Sequence, residues 1–182
     1  MLFKNYQSFV SSTFITDSFT NDRNKLSYVF LGLFSEVGEV LSVFKKYLRG
    51  DYDYSTFKTR LIDELGDVVW YSVNIFNLLD YSASDNLIFS FNSLPLHSQL
   101  YNLSKISSNI FSYYNLIHIS SNPLSSLKFN SSHIIYLIHE LLSTINSILK
   151  HYQLSLIDVI EFNQSKLTSR MSSNSIRGDG IR

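Results

Sequence analysis

"LGLFSEVGEVLSVFKKYLRGD", residues 31–51, decides the fold. Leu33, Val37, Val40, Leu41 and Phe44 recur at helical spacing, which marks the buried stripe of an amphipathic helix. Lys45, Lys46 and Arg49, followed by Gly50, supply the cations and the stop expected at a helix C-terminus. Two faults sit inside this good helix. Glu36 and Glu39 stand one turn apart as a like-charged pair, with Gly38 between them. Such a pair repels, and glycine costs about 1 kcal/mol relative to alanine in a helix interior. The same fault returns as "ELGD", residues 64–67, where Glu64 and Asp67 enclose Gly66.

Working outward, the same periodicity predicts a short N-terminal helix carrying Phe3, Tyr6, Phe9, Val10 and Phe14. Further helices are expected at about 24–49, 55–80, 97–118, 131–151 and 155–170, with "SSNPLSSLKFNSS" read as a loop. No glycine occurs between Gly66 and Gly178, so tight hairpin turns are scarce and an all-β fold is disfavoured. The expected fold is all-α, an antiparallel helical bundle formed as one domain over residues 1–182.

Net charge is zero, which gives no footing for a nucleic-acid or acidic-membrane partner. The absence of cysteine excludes disulfides and thiolate metal sites. The N-terminus lacks the continuous apolar core of a signal peptide, and no run of consecutive apolar residues approaches a membrane span. These features predict a soluble cytoplasmic protein. The five histidines fall in no ligand spacing, and neither a glycine-rich phosphate loop nor a nucleophile elbow is present.

Both acidic pairs border the apolar stripe: Val37 and Val40 flank the first, Leu65 and Val68 the second. Carboxylates there would be driven towards protonation unless a cation compensates. Two antiparallel helices would converge Glu36, Glu39, Glu64 and Asp67 on one point, a hard oxygen set suited to Mg²⁺ or Mn²⁺ rather than zinc. A glycine beside the ligands lets a neighbouring backbone or a phosphate come close. The bland alternative is two solvated helix faces whose glycines serve helix packing.

The ordered set "LGLFSEVGEVLSVFKKYLRGD", "DELGDVVWYSVN" and "NQSKLTSR…RGDGIR" resembles the MazG-like, all-α nucleoside triphosphate pyrophosphohydrolases. Glu36, Glu39, Glu64 and Asp67 meet that family's E-x-x-E…E-x-x-D signature, within matching stretches of about residues 24–80 and 155–182. The resemblance implies Mg²⁺-dependent cleavage between the α- and β-phosphates of a nucleoside triphosphate, with the four carboxylates as ligands and one glutamate orienting or deprotonating the water. It further implies that Lys46, Arg49, Lys166, Arg170 and Arg177 hold phosphates, and that Trp70, Asn74 and Asn163 contact the nucleotide. Capping and solvated charge account equally well for each basic residue alone, and plain core for Trp70. Related readings are a hydrolase specialised for dUTP, dCTP or ppGpp, and a silent helical module that binds nucleotides or a protein.

The chain departs from the family's compact members by about seventy residues between the Glu64/Asp67 helix and the final one. Residues 86–139 carry only Lys105 and Lys128 as charged side chains. A weak internal echo lays this region over the first half, with Ile106, Asn109, Glu140 and Ser143 opposite Glu36, Glu39, Glu64 and Asp67. Residues 97–151 are then either an insertion or a degenerate second copy, and the protein a homodimer or a pseudo-dimeric monomer.

Overall fold

The computed structural model describes residues 2–15, 19–83, 94–173 and 175. Over those residues the protein is all-α: α1 (Leu2–Thr13), α2 (Asp22–Arg49), α3 (Tyr54–Leu78), α4 (Leu96–His118), α5 (Pro123–Phe129), α6 (Ser131–His151) and α7 (Leu156–Ser172), with no strand among them.

The helix ends follow from their capping residues. The Asn21 side chain accepts from the Asn24 N–H to start α2, and Gly50 ends it in the left-handed region at φ 84°. Only three residues later Asp53 caps α3, its side chain accepting from the Thr56 N–H at 2.7 Å. A capping box between Ser155 and Asp158 opens α7. The segment expected to be a loop at "SSNPLSSLKFNSS" contains α5. Asn122 caps it and Pro123 occupies its first turn, a start signal that the serine-rich composition obscured.

The short link makes α2 and α3 an antiparallel hairpin. Phe44 and Tyr47, late in α2, pack on Phe57, early in α3, at centroid distances of 5.2 and 4.2 Å. Early in α2, Gly32 faces Tyr71, late in α3. α4 runs back along α2, with Phe30 stacked on Tyr114 at 4.3 Å and Phe34 on Phe111 at 5.0 Å. α6 packs along α4, and Phe76 meets His139 at 5.4 Å to bring α6 against α3. Four helices thus enclose one continuous apolar core, while α1 and α7 pack on α3 and on each other. α2 is long and apolar enough by length and composition to cross a membrane. Its Leu26, Val29, Phe30, Leu33, Val37 and Val40 are instead buried in this core.

Two of the helical glycines behave oppositely. A Cβ on Gly32 would lie 2.3 Å from the Tyr71 ring, whereas one on Gly38 would meet nothing within 4 Å. Gly32→Ala should therefore cost about 1–3 kcal/mol as the ring is displaced, and Gly38→Ala should gain about 0.5–1 kcal/mol. Urea unfolding should rank Gly38→Ala above the parent protein and Gly32→Ala below it.

Candidate metal and nucleotide site

The antiparallel hairpin sets the middle of α2 against the middle of α3, where the acidic residues are. One carboxylate oxygen from each of Glu36, Glu64 and Asp67 lies within 4.8 Å of the other two. That spacing is close to the roughly 4 Å across which opposite ligands of Mg²⁺ sit, at about 2.0–2.1 Å per bond. Glu64 is only 5% exposed, and Glu36 and Asp67 are half-buried. Glu39, one turn farther along α2, is exposed and stands outside this group. The donor set is all hard oxygen from two rigid helices, which fits a divalent cation such as Mg²⁺ or Mn²⁺.

α7 brings in the compensating groups. The Lys166 ammonium donates to Asp63 Oδ1 at 2.6 Å and to both oxygens of Asp67 at 2.7 and 2.8 Å. One turn earlier, Asn163 donates through Nδ2 to Asp67 Oδ1 at 3.0 Å. Asn163 in turn accepts from the buried Tyr6 hydroxyl at 2.8 Å. A Cβ on Gly66 would come within 3.1 Å of Asn163 Cβ, so this glycine lets α7 approach α3 closely. Gly38 opens onto free space instead.

The cluster's negative field reaches two phenols. Burial, and then the charge of Asp67, push the Tyr6 hydroxyl well above the ordinary tyrosine range. Tyr71 is raised first by burial and next by its hydrogen bond to Tyr28, with smaller contributions from Glu36 and Asp67. Both remain neutral donors throughout the accessible pH range.

The other sequence-derived candidates lie at varying distances from this centre. Trp70 is mostly buried, donates to Thr13 Oγ1 at 2.9 Å and packs edge-on to Phe14 and Tyr71. Asn74 is 1% exposed and donates to the Trp70 carbonyl, so both side chains are built into the core. Lys46 lies over the Tyr52 ring at 5.8 Å, about 10 Å along the helix axis beyond Glu39. Arg49 is exposed and paired with Asp51. Arg170 follows Lys166 by one turn on α7 and is half-buried. Arg177 lies outside the described residues.

Comparison with known proteins gives one partial likeness. The chain is 46% identical over 57 residues to "Gene 37 protein" of Mycobacterium phage L5. The matched stretch spans 30% of this chain and half the length of that relative. No family model matches, and no solved structure does.

Sequence reasoning missed three contributors. Asp63 shares Lys166 with Asp67 and precedes it by one helical turn, a spacing visible in the sequence. Tyr6 falls in an apolar stripe of the sequence, where nothing local marks Asn163 as the partner of its hydroxyl. Gly32 is enclosed by no acidic pair, so nothing in the sequence sets it against Tyr71.

Removing the ammonium should expose the repulsion it offsets. Lys166→Met is expected to lower folding stability by about 1–3 kcal/mol, because two half-buried carboxylates lose a charge-assisted donor. Millimolar Mg²⁺ should recover part of that loss by mass action. Thermal unfolding in EDTA and in MgCl₂ checks both expectations.

Proposed function

We propose that the protein is a Mg²⁺-dependent nucleoside triphosphate pyrophosphohydrolase of the MazG-like, all-α type, acting on the nucleotide pool. The observation that supports it best is the convergence of Glu36, Glu64 and Asp67 from two helices onto one cation-sized point. In this reading the bundle is completed within a single chain, with α4 and α6 as a degenerate counterpart of the α2–α3 hairpin. The partial likeness to a phage protein supports a phage origin, and in this reading the enzyme would work in a host cytoplasm.

Glu36, Glu64 and Asp67 would hold the cation. Bound there, it supplies neutralisation of the phosphate charge and a water of lowered pKa. Glu39, exposed one turn along α2, is the carboxylate left to orient the attacking water and take its proton. The water oxygen bonds to phosphorus as the α–β bridging bond breaks, and nucleoside monophosphate and pyrophosphate depart. Lys166 already fixes Asp67 in place and presents its ammonium at the edge of the cluster. Arg170, one turn on, and Lys46, beyond Glu39, extend positive charge away from it towards the outer phosphates. Tyr71, protonated and half-buried, has Glu36 and Asp67 close enough to act on its hydroxyl and bounds the cluster beside Gly32.

Pyrophosphate release should be measured over ribo- and deoxynucleoside triphosphates, including dUTP and dCTP, and over ppGpp, which hydrolysis would convert to GDP and pyrophosphate. Turnover is expected only with Mg²⁺ or Mn²⁺. Glu64→Gln and Asp67→Asn should each reduce kcat/KM by at least about 100-fold, or roughly 2.7 kcal/mol. Metal-independent turnover, full activity in both variants, or no activity on any of these nucleotides would overturn the reading.

A further inference from the structure

α4 and α6 form a second antiparallel pair, and a cavity of about 270 Å³ opens between them. Its walls include Ile106 and Asn109 from α4, and Glu140 and Ser143 from α6. These are the four positions that the internal echo sets opposite Glu36, Glu39, Glu64 and Asp67. The second pair therefore gathers all four of the corresponding residues around one cavity, where the first gathers three, and with different chemistry. Three acidic positions are replaced by an apolar residue, an amide and a hydroxyl. Glu140 alone remains, and Lys105 joins it on the cavity wall. One carboxylate and one ammonium leave no excess negative charge to hold a divalent cation.

We propose that this cavity is a metal-free binding site for a singly phosphorylated nucleoside. Lys105 matches one phosphate group, and among the described residues that line the cavity it is the sole cation, which suits a polyphosphate poorly. Glu140 would accept a hydrogen bond from a sugar hydroxyl, the 3′-hydroxyl in a deoxynucleotide, as carboxylates accept from ribose in other nucleotide sites. The Asn109 amide can both donate to and accept from a base edge, and Tyr136 at the rim offers a ring for stacking. Neither the Lys105 ammonium nor the Glu140 carboxylate is committed to an ion pair or hydrogen bond among the described residues. The volume lies just under the roughly 300–1,000 Å³ of ordinary small-molecule sites, so it suits a monophosphate better than a triphosphate. The site rests on this geometry; only the choice of nucleotide probes, the organic products of the reaction proposed above, rests on that reading.

Titration of the full chain in EDTA with dAMP, dCMP, dGMP and dTMP, followed by amide NMR shifts and calorimetry, tests it. At least one should bind with Kd below about 1 mM, shifting amides of α4 and α6. Lys105→Met and Glu140→Gln, both checked for folding by circular dichroism, should each weaken binding at least tenfold. Glu64→Gln should leave it unchanged. Absence of binding to all four at 5 mM, equal binding of inorganic phosphate alone, or loss of binding in Glu64→Gln but not in Lys105→Met would overturn the proposal. EDTA silences the hydrolysis proposed above, so this outcome is independent of the pyrophosphate assay.

Discussion

The structure is organised around a repulsion that its fold does not allow to relax. Glu36, Glu64 and Asp67 are held within 4.8 Å of one another. A pair of unit charges at such a distance repels by roughly 1 kcal/mol in bulk water, and by about 3–4 kcal/mol at an effective dielectric of 20. The flanking Val37, Val40, Leu65 and Val68 are almost wholly buried, so the helices cannot part without exposing them. Burial of that apolar surface, at about 25 cal/mol per Å², holds the helices together against the repulsion. Carboxylates on rigid, tightly packed helices are pre-organised for a cation in a way that loop carboxylates are not.

Two other elements are tied to this centre by a polar chain. It runs from Tyr6 on α1 through Asn163 on α7 to Asp67 on α3, and Lys166 carries it on to Asp63. Each link satisfies a buried or half-buried polar group that would otherwise be costly to desolvate. The chain explains why α1 and α7 pack on α3 in particular, and why Gly66 lies where α7 crosses. It also fixes Asp67 in one orientation before any ligand arrives. Lys166 thus acts on the acidic group directly, a closer role than the phosphate contact that the sequence alone suggested.

Every helix except α5, and the acidic face, were legible because both are local. The periodic stripes of α2 and α3, the Gly50 stop and the i, i+3 acidic spacing are all properties of contiguous residues. Convergence of Glu36 on Glu64 and Asp67 followed from the three-residue link between Gly50 and α3, which forces an antiparallel hairpin, whereas Glu39, expected with them, lies outside the group. Long-range partners were not legible. Tyr6 and Asn163 are 157 residues apart, and nothing local in either stretch announces the other. Trp70 and Asn74 share a helical face with Asp67, yet α1 covers the Trp70 part of that face, and the sequence carries no sign of where α1 packs. Short α5 was hidden because its Asn-Pro start looks like a turn when read without its neighbours.

In the proposed function α2 and α3 together build one cation site. Crystals of the full chain soaked with MnCl₂ and a triphosphate whose α–β bridge resists hydrolysis would test it by anomalous scattering. A peak is expected among Glu36, Glu64 and Asp67, within about 2.0–2.3 Å of carboxylate oxygens from both helices. Manganese bound elsewhere, or to one helix alone, with these three carboxylates left unligated, would contradict the account.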